Sequence, residues 1–262
     1  MAEFYYRGYK CCYNEYGLEG GRRVIVVPDD GQGGDSVYSM TGWMAPRFRV
    51  TLVDFLGCGE ADKPRGFVSD LWHDQAMQLK EMFYEAKYNH AVFIGIGNGG
   101  CRTLEEFLKE MPDVVETAIF TAKDFMLPNL DENLSSKIVL LPDSVRFRKD
   151  KELDTRILTM ICMQILTGKR VLCPYCGGDM VEGHIVGGRD VPRWIFGEDA
   201  IGFPDNEAGE FYLRNREPQG VLGHIKGAFH ADAARKTSYV CYACRKMIAD
   251  INVNLEPYME GR

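Results

Sequence analysis

The sequence lacks several features that would assign it to a class at once. It has no run of about 18 apolar residues, so we expect no membrane-spanning helix and no membrane partner. Residues 1–17 contain neither an apolar segment with a small-residue cleavage site nor an excess of arginine, so we expect no signal or transit peptide. No internal repeat or low-complexity linker is present. These absences favour a cytoplasmic protein with reduced thiols.

An excess of positive charge is also absent. The 262 residues include 31 Lys and Arg against 38 Asp and Glu, which is a formal net charge of −7. Because phosphate binding needs a basic face, this balance disfavours nucleic acid as a partner. A basic cluster within residues 146–151 is a local exception.

The chain does contain alternating strand-like and helix-like segments. With 45% hydrophobic residues, it can form a large core. Short apolar runs rich in β-branched residues, typical of strands buried on both faces, occur at 24–27, 48–55, 90–97 and 115–124. Segments with helical spacing of apolar residues lie between them. This pattern predicts an α/β fold with a mostly parallel, doubly wound sheet.

Five motifs follow one another along this pattern. They are "VIVVPDDGQGG" at 24–34, "RVTLVDFLGCGEADKP" at 49–64, "VFIGIGNGG" at 92–100, "VPRWIFGEDAIGFP" at 191–204 and "IKGAFH" at 225–230. In type and order they resemble the motifs of the α/β-hydrolase family: the oxyanion loop, a glycine loop, the nucleophile turn, the strand of the catalytic acid and the catalytic histidine. The resemblance covers roughly residues 20–125 and 187–255.

This resemblance implies a core that is divided by an insertion. We expect the first half of an α/β-hydrolase-like core in residues 1–129 and the second half in residues 187–262. A small cap or insertion, which includes a Cys-x-x-Cys loop, is expected in residues 130–186. The second half should end in a helix, predicted over about residues 231–255.

The catalytic positions implied by the resemblance carry unusual residues. The nucleophile position falls on Gly97, which has no side chain to attack a carbonyl carbon but reaches the strained conformation of the turn at little cost. The acid position falls on Ala200, with Asp199 one residue earlier. In the oxyanion loop, Asp30 and Gly31 replace His-Gly, and a carboxylate there would repel the charge that develops on an oxyanion.

These departures predict a catalytically inactive family member that acts as a binding or scaffold component of a complex. We expect a protein partner, with a small-molecule ligand as a second option. Asp30, Gly31 and Asn98 are the candidate ligand-contacting residues, and free backbone N–H groups at the start of the following helix could bind an anion or a carbonyl oxygen. Cys101, four residues after Gly97, is predicted to be a buried packing residue and not a substitute nucleophile.

The alternative hypothesis is an active enzyme. His230 stands where the family has its catalytic histidine, and it could move protons with Asp124 or Asp199 as its carboxylate partner. Such a pair would suit a hydrolase, a lyase or a cofactor-free oxygenase.

Four of the nine cysteines form two Cys-x-x-Cys pairs, Cys173/Cys176 and Cys241/Cys244. In a reducing compartment this spacing favours a metal over a disulfide. Four thiolates would complete a closed, tetrahedral, structural zinc site, with His184 as a reserve ligand, and we expect no other cofactor. Free, packed cysteines are one alternative. A histidine–metal nuclease finger is another, which the acidic composition and the internal spacing disfavour.

Overall fold

In the computed structural model, the chain forms two β-sheets, one mostly parallel and one antiparallel. The structure describes residues 1–66, 70–122, 132–141, 151–187, 193–196, 211–212 and 234–249. The first sheet has seven strands and the second has five. No helix in the described parts of the chain is both long and apolar enough to cross a membrane.

The first sheet is built mainly from parallel strands, as predicted. Its strands are β1 (Ala2–Tyr6), β2 (Tyr9–Gly17), β3 (Arg22–Val27), β4 (Phe48–Asp54), β5 (Ala91–Gly95), β6 (Val115–Phe120) and β7 (Ile138–Leu140). Their spatial order is β1-β2-β4-β3-β5-β6-β7. Strands β3 to β7 pair in parallel, whereas β1 and β2 form an antiparallel hairpin that pairs with β4. The strand-and-crossover pattern read from the sequence is therefore confirmed.

Helices cover both faces of this sheet. They are α1 (Ser39–Met44), α2 (Leu71–Glu85), α3 (Gly97–Glu110), α4 (Glu132–Lys137) and α5 (Lys151–Leu166). Side chains alternate between the faces of a strand, so Ile25 and Val27 of β3 pack with residues of α2 and α3. Val24 and Val26 pack with residues of α1 and α5 on the other face. The sheet is thus doubly wound.

The second sheet is antiparallel throughout. Its strands are β8 (Val181–Gly187), β9 (Arg193–Phe196), β10 (Phe211–Tyr212), β11 (Ala234–Cys241) and β12 (Lys246–Ala249), in the order β10-β9-β8-β11-β12. We call β8 to β12 and the loop 170–180 the second module. It contacts the rest of the chain through α5, where the Gln164 amide donates to the Met180 carbonyl at 3.0 Å and accepts the Glu182 N–H at 3.1 Å.

Two predictions about this region are wrong. The described part of the predicted C-terminal helix forms β11 and β12, because Thr237, Tyr239 and Val240 favour an extended backbone. The strand expected to extend the parallel sheet with the catalytic acid is β9, and it pairs antiparallel with β8. The boundaries predicted at residues 129/130 and 186/187 stay predictions.

Candidate functional site

The two Cys-x-x-Cys pairs meet in space. The sulfur atoms of Cys173, Cys176, Cys241 and Cys244 all lie within 4.8 Å of one another. The Cys173–Cys244 and Cys176–Cys241 Sγ–Sγ distances are both 3.5 Å. Four thiolates at about 2.3 Å from a central zinc ion would lie roughly 3.8 Å apart, so the cluster has the size of a tetrahedral metal site. Folding thus brings the two pairs together, as the predicted four-cysteine site requires.

Each pair lies on a tight turn that directs backbone N–H groups at sulfur. In the first turn, the Cys173 N–H donates to the Gly178 carbonyl and the Gly177 N–H donates to the Cys173 carbonyl, both at 2.8 Å. Gly177 has a φ of +75°, a left-handed conformation that glycine adopts easily. The N–H groups of Tyr175 and Cys176 then bind the Cys173 sulfur.

The second turn joins β11 to β12 and repeats this arrangement. The N–H groups of Ala243 and Cys244 bind the Cys241 sulfur, and the N–H of Lys246 binds the Cys244 sulfur. Arg245 has a φ of +58° at the end of the turn. Two similar turns therefore face each other, and each contributes two sulfur atoms.

The thiols of the cluster differ in their affinity for protons. Burial raises the pKa of Cys173, but the N–H···S bonds and the contact with Cys244 outweigh it and bring this pKa down to about 7. Burial raises the pKa of Cys241 to about 12, with a contribution from the neighbouring Cys176 thiol. Four sulfur atoms this close together do not all ionise alone, because like charges repel. A bound cation would remove that repulsion.

The surroundings of the cluster hold it in place. Asp179, which is almost fully buried, accepts two hydrogen bonds from Arg170, at 2.6 Å and 3.1 Å. Met180 packs against the buried cysteines. His184 is buried on β8, but the ligand set found among the described residues consists of cysteines alone, so His184 is not needed as a reserve ligand.

A second candidate site lies at the carboxyl edge of the first sheet, where β5 turns into α3. The Ile96 N–H donates to the Val27 carbonyl at 2.9 Å, and the Gly97 N–H donates to the Thr121 hydroxyl at 3.2 Å. Gly97, the first residue of α3, has a φ of +64°. We call residues 95–100 the elbow. The prediction that glycine provides a strained backbone conformation here is confirmed.

The glycines of the elbow also make room for the loop that follows β3. A Cβ atom on Gly97 would overlap the Asp29 carboxylate, and one on Gly99 would overlap the Asp30 carboxylate. A Cβ atom on Gly100 would lie 2.5 Å from the Val27 carbonyl oxygen. The loop therefore packs directly against the first turn of α3.

Sequence reasoning missed Asp29, although it lies closest to the position of the absent side chain. Asp29 Oδ1 accepts the Gly99 N–H at 2.7 Å and the Asp30 N–H at 3.0 Å. A donor at the start of α3 that was expected to bind an external anion thus binds a carboxylate of the chain itself. One turn needs fewer glycines than the three at positions 97, 99 and 100. This excess was the signal in the sequence that another segment of the chain packs closely against the turn.

The predicted ligand-contacting residues lie around this elbow. Asp30 is exposed, and both its carboxylate oxygens lie 3.2 Å from the indole nitrogen of Trp72. Gly31 and Asn98 are exposed as well. As predicted, Cys101 is buried: its thiol donates to the Gly95 carbonyl at 3.2 Å. Four residues singled out from the sequence lie outside the described residues, namely Asp124, Asp199, Ala200 and His230.

Comparison with known proteins gives different results for the two parts of the chain. A family model described as a domain of unknown function (DUF6487) matches residues 173–253, which include all four cysteines of the cluster. This match covers less than half of the chain. No curated protein matches the chain in sequence.

Among solved structures, the chain is similar to enzymes. Est816, described as an N-acyl homoserine lactone degrading enzyme, is 22% identical, with 46% of this chain and 45% of that chain covered and a TM-score of 0.42. An esterase from Rhodococcus sp. ECU1013 is 18% identical, with 46% and 44% covered and a TM-score of 0.42. A haloalkane dehalogenase variant from Bradyrhizobium elkanii is 19% identical, with 48% and 40% covered and a TM-score of 0.42. Each match spans less than half of the solved chain.

The strand order of the first sheet, with parallel strands β3 to β7 and helices on both faces, is that of an α/β-hydrolase-like fold. The prediction of a catalytically inactive scaffold protein is corrected on this comparison: the similar solved structures are named as enzymes, and nothing in the described residues shows inactivity. A glycine at position 97 excludes attack by a side chain at that position, and it excludes no other chemistry.

Proposed function

We propose that the four-cysteine cluster holds one structural zinc ion. The observation that carries the proposal is the mutual distance of the four sulfur atoms, all within 4.8 Å. Tetrahedral sites with four thiolate ligands are typical of zinc, and a closed set of four protein ligands leaves no open position for substrate. The N–H···S bonds would stabilise the thiolates that such an ion requires.

Zinc would join parts of the chain that are far apart in sequence. Cys173 and Cys244 are separated by 71 residues. In the described part of the second module, the separate buried apolar cluster around the site consists of Cys173, Met180 and Cys241, whereas Val181 and Val240 belong to the core that α1 and α5 form with the first sheet. Because so small a cluster stabilises the two cysteine turns weakly, the metal would supply much of the free energy that holds them together.

Elemental analysis of the purified protein tests the zinc proposal. We expect about one zinc ion per chain, since one set of four ligands is present. Cys176→Ser should lose the ion, and because Cys176 is exposed, the substitution itself removes no buried contact. Cys58→Ser is the matched control, because Cys58 lies outside the cluster and should retain the ion. A folded protein without zinc, or with iron in its place, would contradict the proposal.

We infer further that the α/β-hydrolase-like part is an enzyme, most simply a hydrolase, that works without a side chain at position 97. Polar groups gather at the carboxyl edge of its parallel sheet, where open α/β sheets bind their ligands. They include the half-buried Asp29 carboxylate, the exposed Asp30 carboxylate and the exposed Asn98. His230, with Asp124 or Asp199, is proposed as the acid–base pair. A lyase or a cofactor-free oxygenase would use the same pair.

Turnover of p-nitrophenyl acetate and butyrate tests this inference. We expect measurable hydrolysis that His230→Ala abolishes and that His90→Ala retains, because His90 is exposed at the opposite end of β5. A fluorophosphonate probe should label no serine, since the elbow has no hydroxyl group. Full activity in His230→Ala, or a labelled serine, would contradict the assignment of the acid–base pair.

A further inference from the structure

The cysteine cluster contains one sulfur atom that is open to solvent. All nine cysteines of the chain lie in the described residues, and Cys176 is the one that is exposed. Cys244 is half-buried, whereas Cys173 and Cys241 are only 2% and 0% exposed. The cysteines outside the cluster are all buried. A small reagent that arrives from solvent therefore meets the Cys176 sulfur before any other thiol of the chain.

Sulfur contacts in the cluster run from one turn to the other. The Cys176 Sγ lies 3.5 Å from the Cys241 Sγ, and the Cys173 Sγ lies 3.5 Å from the Cys244 Sγ. The exposed sulfur thus faces a fully buried sulfur of the opposite turn. A disulfide bond places its sulfur atoms about 2.05 Å apart, so the Cys176–Cys241 pair would have to close by about 1.5 Å.

We propose that Cys176 is an oxidation site of the cluster, at which a hydroperoxide links Cys176 to Cys241 in a disulfide bond and thereby releases the metal. The inference rests on the zinc ion proposed above. Zinc itself has no redox chemistry, so oxidation falls on its sulfur ligands. Oxidation of cysteine follows exposure and is completed by a second cysteine nearby, and Cys176 and Cys241 meet these two conditions.

The reaction consumes one hydroperoxide for each disulfide. With hydrogen peroxide, the Cys176 sulfur bonds to one oxygen atom while the O–O bond breaks, and the released hydroxide takes a proton from solvent. Cys176 is then a sulfenic acid. The Cys241 thiolate attacks this sulfur, the S–O bond breaks, and the second hydroxide also takes a proton from solvent. The two sulfur atoms have lost two electrons, and the peroxide has gained them to form two water molecules.

Release of the metal follows from the loss of two ligands. Thiolates bind metals and disulfides do not, so only Cys173 and Cys244 would remain as ligands. The new bond joins residues that are 65 positions apart and holds the two turns together. Oxidation therefore differs from chelation, because both remove the metal but only chelation leaves the two turns unconnected. A thiol reductant with added zinc should reverse the reaction.

Two variants separate oxidation from metal binding. Three cysteines and one histidine form a common structural zinc site, so Cys176→His should still bind zinc although it can form no disulfide at position 176. Cys58→Ser is the matched control, because it removes a buried cysteine outside the cluster.

The decisive experiment treats the purified, zinc-containing protein with hydrogen peroxide. A chromogenic chelator measures the released metal, and a peptide map without reduction identifies the disulfides. In the wild type and in Cys58→Ser, we expect release of about one zinc ion per chain and a Cys176–Cys241 disulfide. In Cys176→His, release should be slower by about 10-fold or more. Peptides from residues 171–187 of the oxidised wild type should retain more hydrogen-exchange protection than those of the chelated protein.

The outcomes separate this inference from the zinc proposal. A wild type that keeps its zinc and all four cluster thiols in excess peroxide would overturn the inference and leave the zinc proposal intact. A disulfide between Cys173 and Cys176, within one turn, would also overturn it. Absence of zinc from the untreated protein would refute the zinc proposal, and the disulfide map would then still decide whether Cys176 is the oxidation site. That map decides it as well if Cys176→His binds no zinc.

Discussion

The elbow and the cysteine cluster show two opposite ways of building a site. At the cluster, the reactive groups belong to short motifs, and each turn supplies its own N–H groups to its own sulfur atoms. At the elbow, the motif has no reactive side chain, and the carboxylate comes from a loop that is 70 residues away in sequence. A local motif therefore identifies the first site, whereas only the packing of two loops reveals the second.

The two regions also differ in what stabilises them. Around the elbow, a large apolar cluster packs both helices α2 and α3 against the first sheet. Around the cysteines, the described residues bury a much smaller apolar cluster. The first region should therefore tolerate loss of the metal, and the second should not.

Removal of zinc should give the largest effect and test this contrast directly. In a chelator, we expect the second module to lose its hydrogen-exchange protection while the first sheet retains it, because the cysteine turns depend on the metal and the first sheet depends on its apolar core. Exchange measured by mass spectrometry would follow peptides from residues 171–187 and 234–249 against peptides from β3 and β5. Loss of protection in all of these peptides together would show that the two regions do not differ in this way.

Truncating a buried side chain in the apolar core of the first sheet should have the opposite effect to zinc removal: the first region should lose stability while the metal site stays intact. Phe93 is fully buried, with its ring 4.9 Å from that of Phe107. Phe93→Ala should lower the free energy of unfolding of the first region by about 3–5 kcal/mol, because it leaves a cavity. The protein should still contain zinc. Urea denaturation measures the first effect and elemental analysis the second.

The control for this truncation is Tyr9→Ala. Tyr9 is exposed on β2, so its replacement should change the free energy of unfolding by less than about 0.5 kcal/mol. If Phe93→Ala and Tyr9→Ala lowered the free energy of unfolding by equal amounts, Phe93 would not be a core residue of the first sheet.

A methyl group at the elbow should have a smaller but specific cost. Gly97→Ala should lower the free energy of unfolding by about 1–3 kcal/mol, because alanine is strained at a φ of +64° and displaces Asp29. In α1, a Cβ atom on Gly42 would meet nothing within 4 Å. Gly42→Ala should therefore stabilise the protein by about 0.4–1 kcal/mol. Thermal denaturation of both variants checks this pair, and a neutral Gly97→Ala would argue against close packing at the elbow.

The smallest expected effect concerns Glu15 on β2. Its carboxylate contacts Arg23 on β3, Arg49 on β4 and Tyr88 in the loop before β5. Burial raises the pKa of Glu15, but hydrogen bonds from Tyr88 and Arg49 outweigh it, so the pKa is lowered overall. A lowered pKa contributes stability above the unfolded-state value of about 4.3, and this contribution is lost as the pH falls through the folded-state value. Glu15→Gln should thus be less stable than the wild type at pH 7 by on the order of 1 kcal/mol.

Urea denaturation of the wild type and of Glu15→Gln at pH 7 and at pH 3 tests this prediction. The difference between them should shrink as the pH falls from 7 to 3, because Glu15 of the wild type takes up a proton as the pH falls through its folded-state pKa. A difference that is the same at both pH values would show that charge plays no part in it.

Prediction from sequence succeeded where the signal was local or repeated. The buried strands β3, β4 and β5 were predicted because continuous apolar runs with β-branched residues have few other uses in a chain of this kind. The four candidate ligands, Cys173, Cys176, Cys241 and Cys244, followed from their spacing and their chemistry, and the structure shows that they meet. The helix predicted around Cys241 was wrong, because the i, i+3 spacing of two cysteines fits a tight turn as well as a helix.

The sequence by itself therefore determined the parallel, doubly wound sheet, the glycine corner after β5 and the composition of the cysteine cluster. Each of these depends on properties of neighbouring residues: apolar periodicity, conformational freedom at positive φ, and thiol pairs two residues apart. Only the tertiary structure decided that the second module forms an antiparallel sheet and that Asp29 lies against Gly97. Those arrangements depend on which distant segments pack together, and the free energy of such contacts is not encoded in any one segment.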